Sequence, residues 1–116
     1  MADALLPEFS ISAERLSSDS YLVRVTGELD LYTAPQLENE FDGIVRDGAA
    51  YVLVDLGDVP FLDSSGLAVL LAAASRLGKD AFVLTGLGFE SRRVLEITGA
   101  DQLLTVVEVS PSGAAA

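Results

Sequence analysis

The sequence predicts an α/β domain: a mixed, mostly parallel sheet with an antiparallel hairpin at its N-terminus and helices packed on it. Three observations carry that expectation. Two period-2 segments, FSISAERL and YLVRVTG, lie close together near the start; two later runs, YVLVDL and AFVLTGL, are apolar on consecutive residues; and helical spacing separates the later strands from one another. Strands that alternate with helices run parallel, because a crossover through a helix returns the chain to the same end of the sheet.

The elements follow in order. Phe9, Ile11 and Ala13 alternate with Ser10, Ser12 and Glu14, which is the pattern of a strand with one buried face. The polar turn SSDS leads into a second strand, where Tyr21, Val23 and Val25 oppose Leu22, Arg24 and Thr26. Thr33 reads as the N-cap of the first helix, with Pro35 in the first turn and Gln36 completing a capping box. Leu37, Phe41, Ile44 and Val45 form its stripe and Gly48 its stop. The consecutive apolar residues of YVLVDL predict a central strand covered on both faces. Leu67, Leu70, Leu71 and Ala74 then predict a helix from Ser65 to about Leu77, ended by Gly78. AFVLTGL reads as another doubly buried strand, Glu90 to Thr98 as a short helix, LLTVVEV as a last strand and SPSGAAA as a flexible tail.

A chain of 116 residues suits one domain with its own core. The ordered part is expected over about 9–108, with 109–116 as the tail. Half of the residues are apolar, which excludes disorder, yet the longest wholly apolar run, Leu67 to Ala74, is eight residues. A membrane span needs about 20. MADALLPEFS has neither the basic segment nor the long apolar core of a secretory signal, so the expected location is the cytoplasm. Cysteine and histidine are both absent, which removes disulfides, thiolate metal sites and imidazole bases. Eighteen acidic against seven basic residues give a net charge of −11, which repels nucleic acid and anionic membrane. Neither is an expected partner.

In a sheet of this kind, sites gather in the loops that follow the strands. Those loops hold Glu28 and Asp30, then Asp58, Asp63, Ser64 and Ser65, then Gly86 and Gly88. A hydrolytic serine needs a base; there is no histidine, no G-x-S-x-G and no S-x-x-K, so serine-hydrolase chemistry is not expected. Asp55, Asp58 and Asp63 read as loop and turn residues in preference to a magnesium cluster, and TGLGFES as a helix entry in preference to a phosphate cradle. Arg92 and Arg93 fall on a solvated helix face. An aspartyl-phosphate receiver built on Asp55 would lack the acidic pair after its first strand and the lysine after a later one. No enzyme is expected, and no cofactor.

The segment FLDSSGLAVL is the most specific in the chain. Ser64 can cap the helix that follows, accepting an amide bond worth about 1 kcal/mol, and on the two serines alone that reading suffices. Gly66 in the first turn weakens the helix by up to about 1 kcal/mol and is expected to leave the backbone near the hydroxyl open. A phosphate on Ser64 would add a charge of about −1.5 to −2 and would meet the positive end of the helix, so the fold would tolerate it. A docked partner would not, because an unpaired or like charge in an interface costs several kcal/mol.

VTGELD at 25 to 30, the helix start from Thr33 to Leu37 and VLVDLGDVPFLDSSGLAVL at 52 to 70 together resemble the anti-sigma factor antagonists of the STAS domain family. The resemblance covers residues 9 to about 108 and implies a single STAS domain. It further implies that Ser64 is phosphorylated by a serine/threonine kinase that is also the anti-sigma factor. The unphosphorylated form binds that kinase and releases its sigma factor; phosphorylation ends binding, and a serine phosphatase restores it. Asp30, Asp63, Ser65, Gly66 and Val69 are then the expected partner-binding residues, and the chain a monomer or weak homodimer. The alternative within the fold is a STAS subunit of a transporter or lipid-trafficking complex, acting as an interaction module without phosphorylation. The family often carries another helix after the last strand, for which PSGAAA is unsuited.

Overall fold

Burial along the second strand runs half-buried, buried, half-buried, buried, exposed, buried, half-buried, so a single face of the sheet is sealed. The computed structural model describes residues 8–108; the expected tail and the question of a further C-terminal helix lie outside them. The elements are β1 (Ser10–Arg15), β2 (Ser20–Thr26), α1 (Ala34–Arg46), β3 (Tyr51–Asp58), α2 (Ser64–Leu77), β4 (Phe82–Thr85), α3 (Phe89–Thr98), a 3-10 turn (Ala100–Gln102) and β5 (Thr105–Val107). They form a five-stranded sheet in sequential order, with β1 antiparallel to β2 and every later pair parallel. The predicted class and topology are those observed. β1 is an edge strand whose Ala13 is exposed, and only Phe9 and Ile11 pack against the core.

One apolar cluster holds the domain together. Val23 and Val25 of β2, Val52, Val54 and Leu56 of β3, and Phe82 and Leu84 of β4 are at most 2 % exposed. They meet Leu37, Phe41 and Ile44 from α1, Leu67, Leu70 and Ala74 from α2, and Leu95 from α3. Full burial of each large side chain contributes on the order of 1.5–3 kcal/mol against conformational entropy. Phe41 meets Phe82 edge-on at a centroid separation of 5.4 Å, pinning α1 to the sheet centre.

The expectation that β3 and β4 are covered on both faces is corrected. Leu53 and Val83 are half-buried and Tyr51 is exposed, while buried apolar residues from all three helices join the cluster on the opposite face. The consecutive apolar residues are real, but the second face carries no helix of its own among the described residues. β3 also bulges: Arg24 pairs with Asp55 and Thr26 with Asp58, one extra residue on the β3 side. The Asp55 carboxylate accepts the Gly57 amide at 2.9 Å and stabilises the bend that sends the chain toward α2.

Candidate functional site

Beyond the ends of β2 and β3 the two departing loops pair once more, through an isolated parallel bridge between Leu29 and Leu62. The Leu29 amide donates to the Phe61 carbonyl at 2.9 Å, and the Asp63 amide to the Leu29 carbonyl at 3.1 Å. Leu29 and Leu62 point inward and are 0 % and 2 % exposed. Their chain neighbours are thereby turned toward solvent, which sets Asp30 beside Asp63 at one end of the sheet.

Asp63, not Ser64, is the N-cap of α2. Its backbone is extended, and its Oδ1 accepts the amides of Ser65 at 2.8 Å and Gly66 at 3.1 Å. Its carbonyl takes the first helical bond, from Leu67. With the cap supplied by a carboxylate, Ser64 becomes the first residue of the helix. Its side chain is exposed, and among the described residues no hydrogen bond involves its hydroxyl. The expected capping duty of Ser64 is corrected by this one-residue shift, which leaves the hydroxyl unengaged.

Gly66 is a second correction. It is buried, so it does not offer an open approach to the hydroxyl or a surface to a partner. A Cβ there would stand 2.6 Å from Leu29 Cγ, 2.8 Å from Leu62 Cδ1 and 2.9 Å from the Leu29 carbonyl oxygen. The glycine exists so that the first turn of α2 can lie directly on the Leu29–Leu62 bridge. Ser65 is half-buried and Val69 is half-buried in a groove of about 30 Å³ between α1 and α2, lined also by Phe41 and Ala73. That volume suits a water, not a ligand.

Asp30 builds the facing loop. Its Oδ1 accepts the Tyr32 amide at 2.9 Å and the Thr33 amide at 3.1 Å, closing a turn on its own side chain. Thr33 Oγ1 donates to the Glu28 carbonyl at 2.8 Å and accepts the Asp30 amide at 2.9 Å. The expected capping box of Thr33 with Gln36 therefore does not form: Thr33 makes no side-chain cap bond to α1. The threonine is spent on holding the turn.

Three side chains at this end escaped the sequence reading. Leu31, Tyr32 and Phe61 are 63 %, 83 % and 47 % exposed. Hydropathy alone assigns such residues to a core, and only the turn at Asp30 and the bridge at Leu62 show that they project. Glu28, Asp30, Asp58 and Asp63 lie in the same two loops, 27–33 and 57–66, which contain no basic residue. Asp55 stands apart, 3.6 Å from Arg24 across the sheet. Arg92 pairs with Glu108, and Arg93 lies over the Phe89 ring at 5.8 Å. Among the described residues, no group of three or more potential ligands is arranged to hold a metal ion, and no helix is long and apolar enough to cross a membrane.

Comparison with known proteins gives this geometry a family. The model of the STAS domain matches residues 10–115. An anti-sigma-B factor antagonist of Staphylococcus aureus (strain NCTC 8325 / PS 47) is 35 % identical over 102 residues, covering 85 % of this chain and 94 % of its own. The crystal structure of an anti-sigma factor antagonist from Mycobacterium paratuberculosis superposes with a TM-score of 0.76 at 33 % identity, over 85 % of each chain. The Bacillus cell fate determinant SpoIIAA, solved in its phosphorylated form, shares the fold with a TM-score of 0.69 at 19 % identity, over 91 % of this chain and 96 % of its own. These relatives are named for regulatory binding and not for an enzymatic reaction. The chain belongs to the STAS domain family, in the company of anti-sigma factor antagonists.

Proposed function

We propose that this protein is an anti-sigma factor antagonist whose unphosphorylated form binds an anti-sigma factor serine kinase, releases the sigma factor, and is switched off by phosphorylation of Ser64. The observation that carries the proposal is the exposed, unbonded hydroxyl of Ser64 on the first turn of a helix already capped by Asp63. The names of the 35 % and 33 % identical relatives support the wider reading.

The chemistry is consistent with a substrate and not a catalyst. In the transfer, Ser64 Oγ attacks the γ-phosphorus of ATP, the bond to the β–γ bridging oxygen breaks, ADP leaves and the hydroxyl proton passes to a base of the kinase. The new phosphate sits at a helix N-terminus, where the free amides and the dipole favour a negative charge by about 0.3–1 kcal/mol, so the domain stays folded. Its outward face is less tolerant. It adds to an end that already carries Glu28, Asp30, Asp58 and Asp63, and it faces the phosphates of the departing nucleotide. That repulsion ends the complex, and a serine phosphatase resets the protein by hydrolysis of the ester. Asp30, Asp63, Ser65 and Val69 frame the contact; Gly66 supports it from beneath.

The test is binding to the anti-sigma factor kinases encoded in the same genome. Unmodified protein binds one of them, and Ser64→Asp, which keeps the helix, loses that affinity by at least about a hundredfold, or ~2.7 kcal/mol. If Ser64→Asp binds as tightly as the unmodified protein, the switch is wrong and the reading of a non-phosphorylated interaction module takes its place.

A further inference from the structure

We infer that Leu31, Tyr32 and Phe61 form the affinity anchor of this protein, an apolar tip that seats in an apolar pocket rimmed by lysine or arginine on the anti-sigma factor. The inference rests on the reading of the protein as an antagonist and assigns affinity to side chains other than the phosphorylated one.

Nine large apolar side chains are exposed on the described surface, and three of them crowd the two loops that flank Ser64. Of the rest, Leu16 and Tyr51 lie at the opposite end of the sheet, and Phe89 lies under the Arg93 guanidinium. Leu31 and Tyr32 are not loosely held. The Asp30 carboxylate binds the Tyr32 and Thr33 amides, and Thr33 Oγ1 ties the turn back to the Glu28 carbonyl. Phe61 is fixed in the same way, its carbonyl engaged by the Leu29 amide. A backbone so restrained, carrying water-exposed leucine, tyrosine and phenylalanine, has little ordering entropy left to lose on binding. Aromatic anchors of this kind dominate the energy of interfaces when they enter a desolvated pocket.

Charge identifies the pocket. Glu28, Asp30 and Asp58 share the two loops with the tip, those loops contain no basic residue, and none of these carboxylates has an ion-pair partner among the described residues. An acidic rim on the partner would be repelled on approach, whereas a basic one would steer association and complete the acidic side. A second copy of this chain presents the same acidic end and is the wrong occupant. Ser64 itself faces a different part of the partner, the nucleotide. The tip thus holds and the serine releases, two duties on neighbouring loops.

The test measures affinity for the cognate anti-sigma factor kinase in the full-length protein. Leu31→Ala/Tyr32→Ala and Phe61→Ala each weaken binding at least tenfold with the unfolding midpoint of the Leu31/Tyr32 variant unchanged, and affinity of the unmodified protein falls as salt is raised. Wild-type affinity in the Leu31/Tyr32 variant overturns the anchor while Ser64→Asp still reports on the switch; insensitivity to salt overturns the basic rim. If the tip variant binds normally but breaks up a homodimer, the patch is a self-interface and the inference fails. Failure of Ser64→Asp to weaken a complex that the tip variants do weaken sinks the switch alone and leaves the anchor standing.

Discussion

Helices α2 and α3 both begin after a parallel strand, at the same end of the sheet, with a serine close to the start; they treat that serine in opposite ways. Ser64 opens α2 with its side chain in water, whereas Ser91 lies in the first turn of α3 and is only 4 % exposed. The frames differ as well. α2 is capped by the Asp63 carboxylate and laid on the Leu29–Leu62 bridge. α3 starts at Gly88 with no side-chain cap, and nothing lies within 4 Å of where a Cβ on Gly88 would stand. A helix start can be held by tertiary pairing or merely tolerated, and the exposed Ser64 hydroxyl stands on the held one.

The largest effect that can break this comparison is chemical. Under the proposed switch, incubation with an anti-sigma factor kinase and ATP adds one phosphate; Ser64→Ala takes up none, and Ser91→Ala keeps full stoichiometry because its hydroxyl is out of reach of a phosphoryl donor. Intact-protein mass measures all three. Uptake surviving in Ser64→Ala would move the acceptor elsewhere and remove the functional meaning of the difference between the helices.

The next effect tests the frames. Gly66→Ala forces a Cβ against Leu29 and Leu62, and overpacking of this kind destabilises by about 1–3 kcal/mol. For a domain of this size that lowers the unfolding midpoint by roughly 4–8 °C per kcal/mol. Gly88→Ala leaves the midpoint nearly unchanged. Its φ of −75° suits alanine, so the smaller entropy of the unfolded chain is offset by alanine's poor service as an N-cap, a net within about 0.5 kcal/mol. Equal losses at the two glycines would mean that the bridge beneath α2 contributes nothing particular.

The same contrast explains what was readable in the sequence. The order of strands and helices was, because period-2 alternation in YLVRVTG and the stripe of Leu67, Leu70 and Ala74 are local signals that the tertiary structure obeys. So was the helix that begins at the Asp63-Ser64 pair, placed to within one residue. What the residues alone could not settle was which member of Asp63-Ser64 caps the helix. Either side chain is competent, and the choice is made by the Asp63 amide reaching Leu29, a partner distant in sequence. Gly66 misled for the same reason: its local cost is visible, but the leucine it makes room for is not. Thr33 stands at the N-cap of α1 as expected, but its side chain is taken by Glu28 and Asp30 in place of the cap bond, and the outward projection of Tyr32 is set by the same turn. The single-faced cover of β3 was hidden because Leu53 is as apolar as the buried Val52 and Val54 beside it.

The smallest expected effect concerns the caps themselves. Asp63→Ala removes the acceptor of the Ser65 and Gly66 amides and costs about 1 kcal/mol, within the usual range of 0.5–2. Gly88→Asp does the reverse at α3. The backbone there is already extended, φ −75° and ψ 173°, which is the conformation an N-cap requires, so a carboxylate can reach the open amides without rearrangement. Relative to glycine the gain is a few tenths of a kcal/mol from the cap, with a dipole contribution of similar size. Glu90, two residues on, points away from that position and does not oppose the gain. A net stabilisation of about 0.5 kcal/mol should appear as an upward shift of a few degrees in thermal unfolding, largest at low salt, where the favourable dipole interaction is least screened. A fall in the midpoint would show that the amides of α3 already have a partner, and that the two helix starts differ less in their capping than in what lies beneath them.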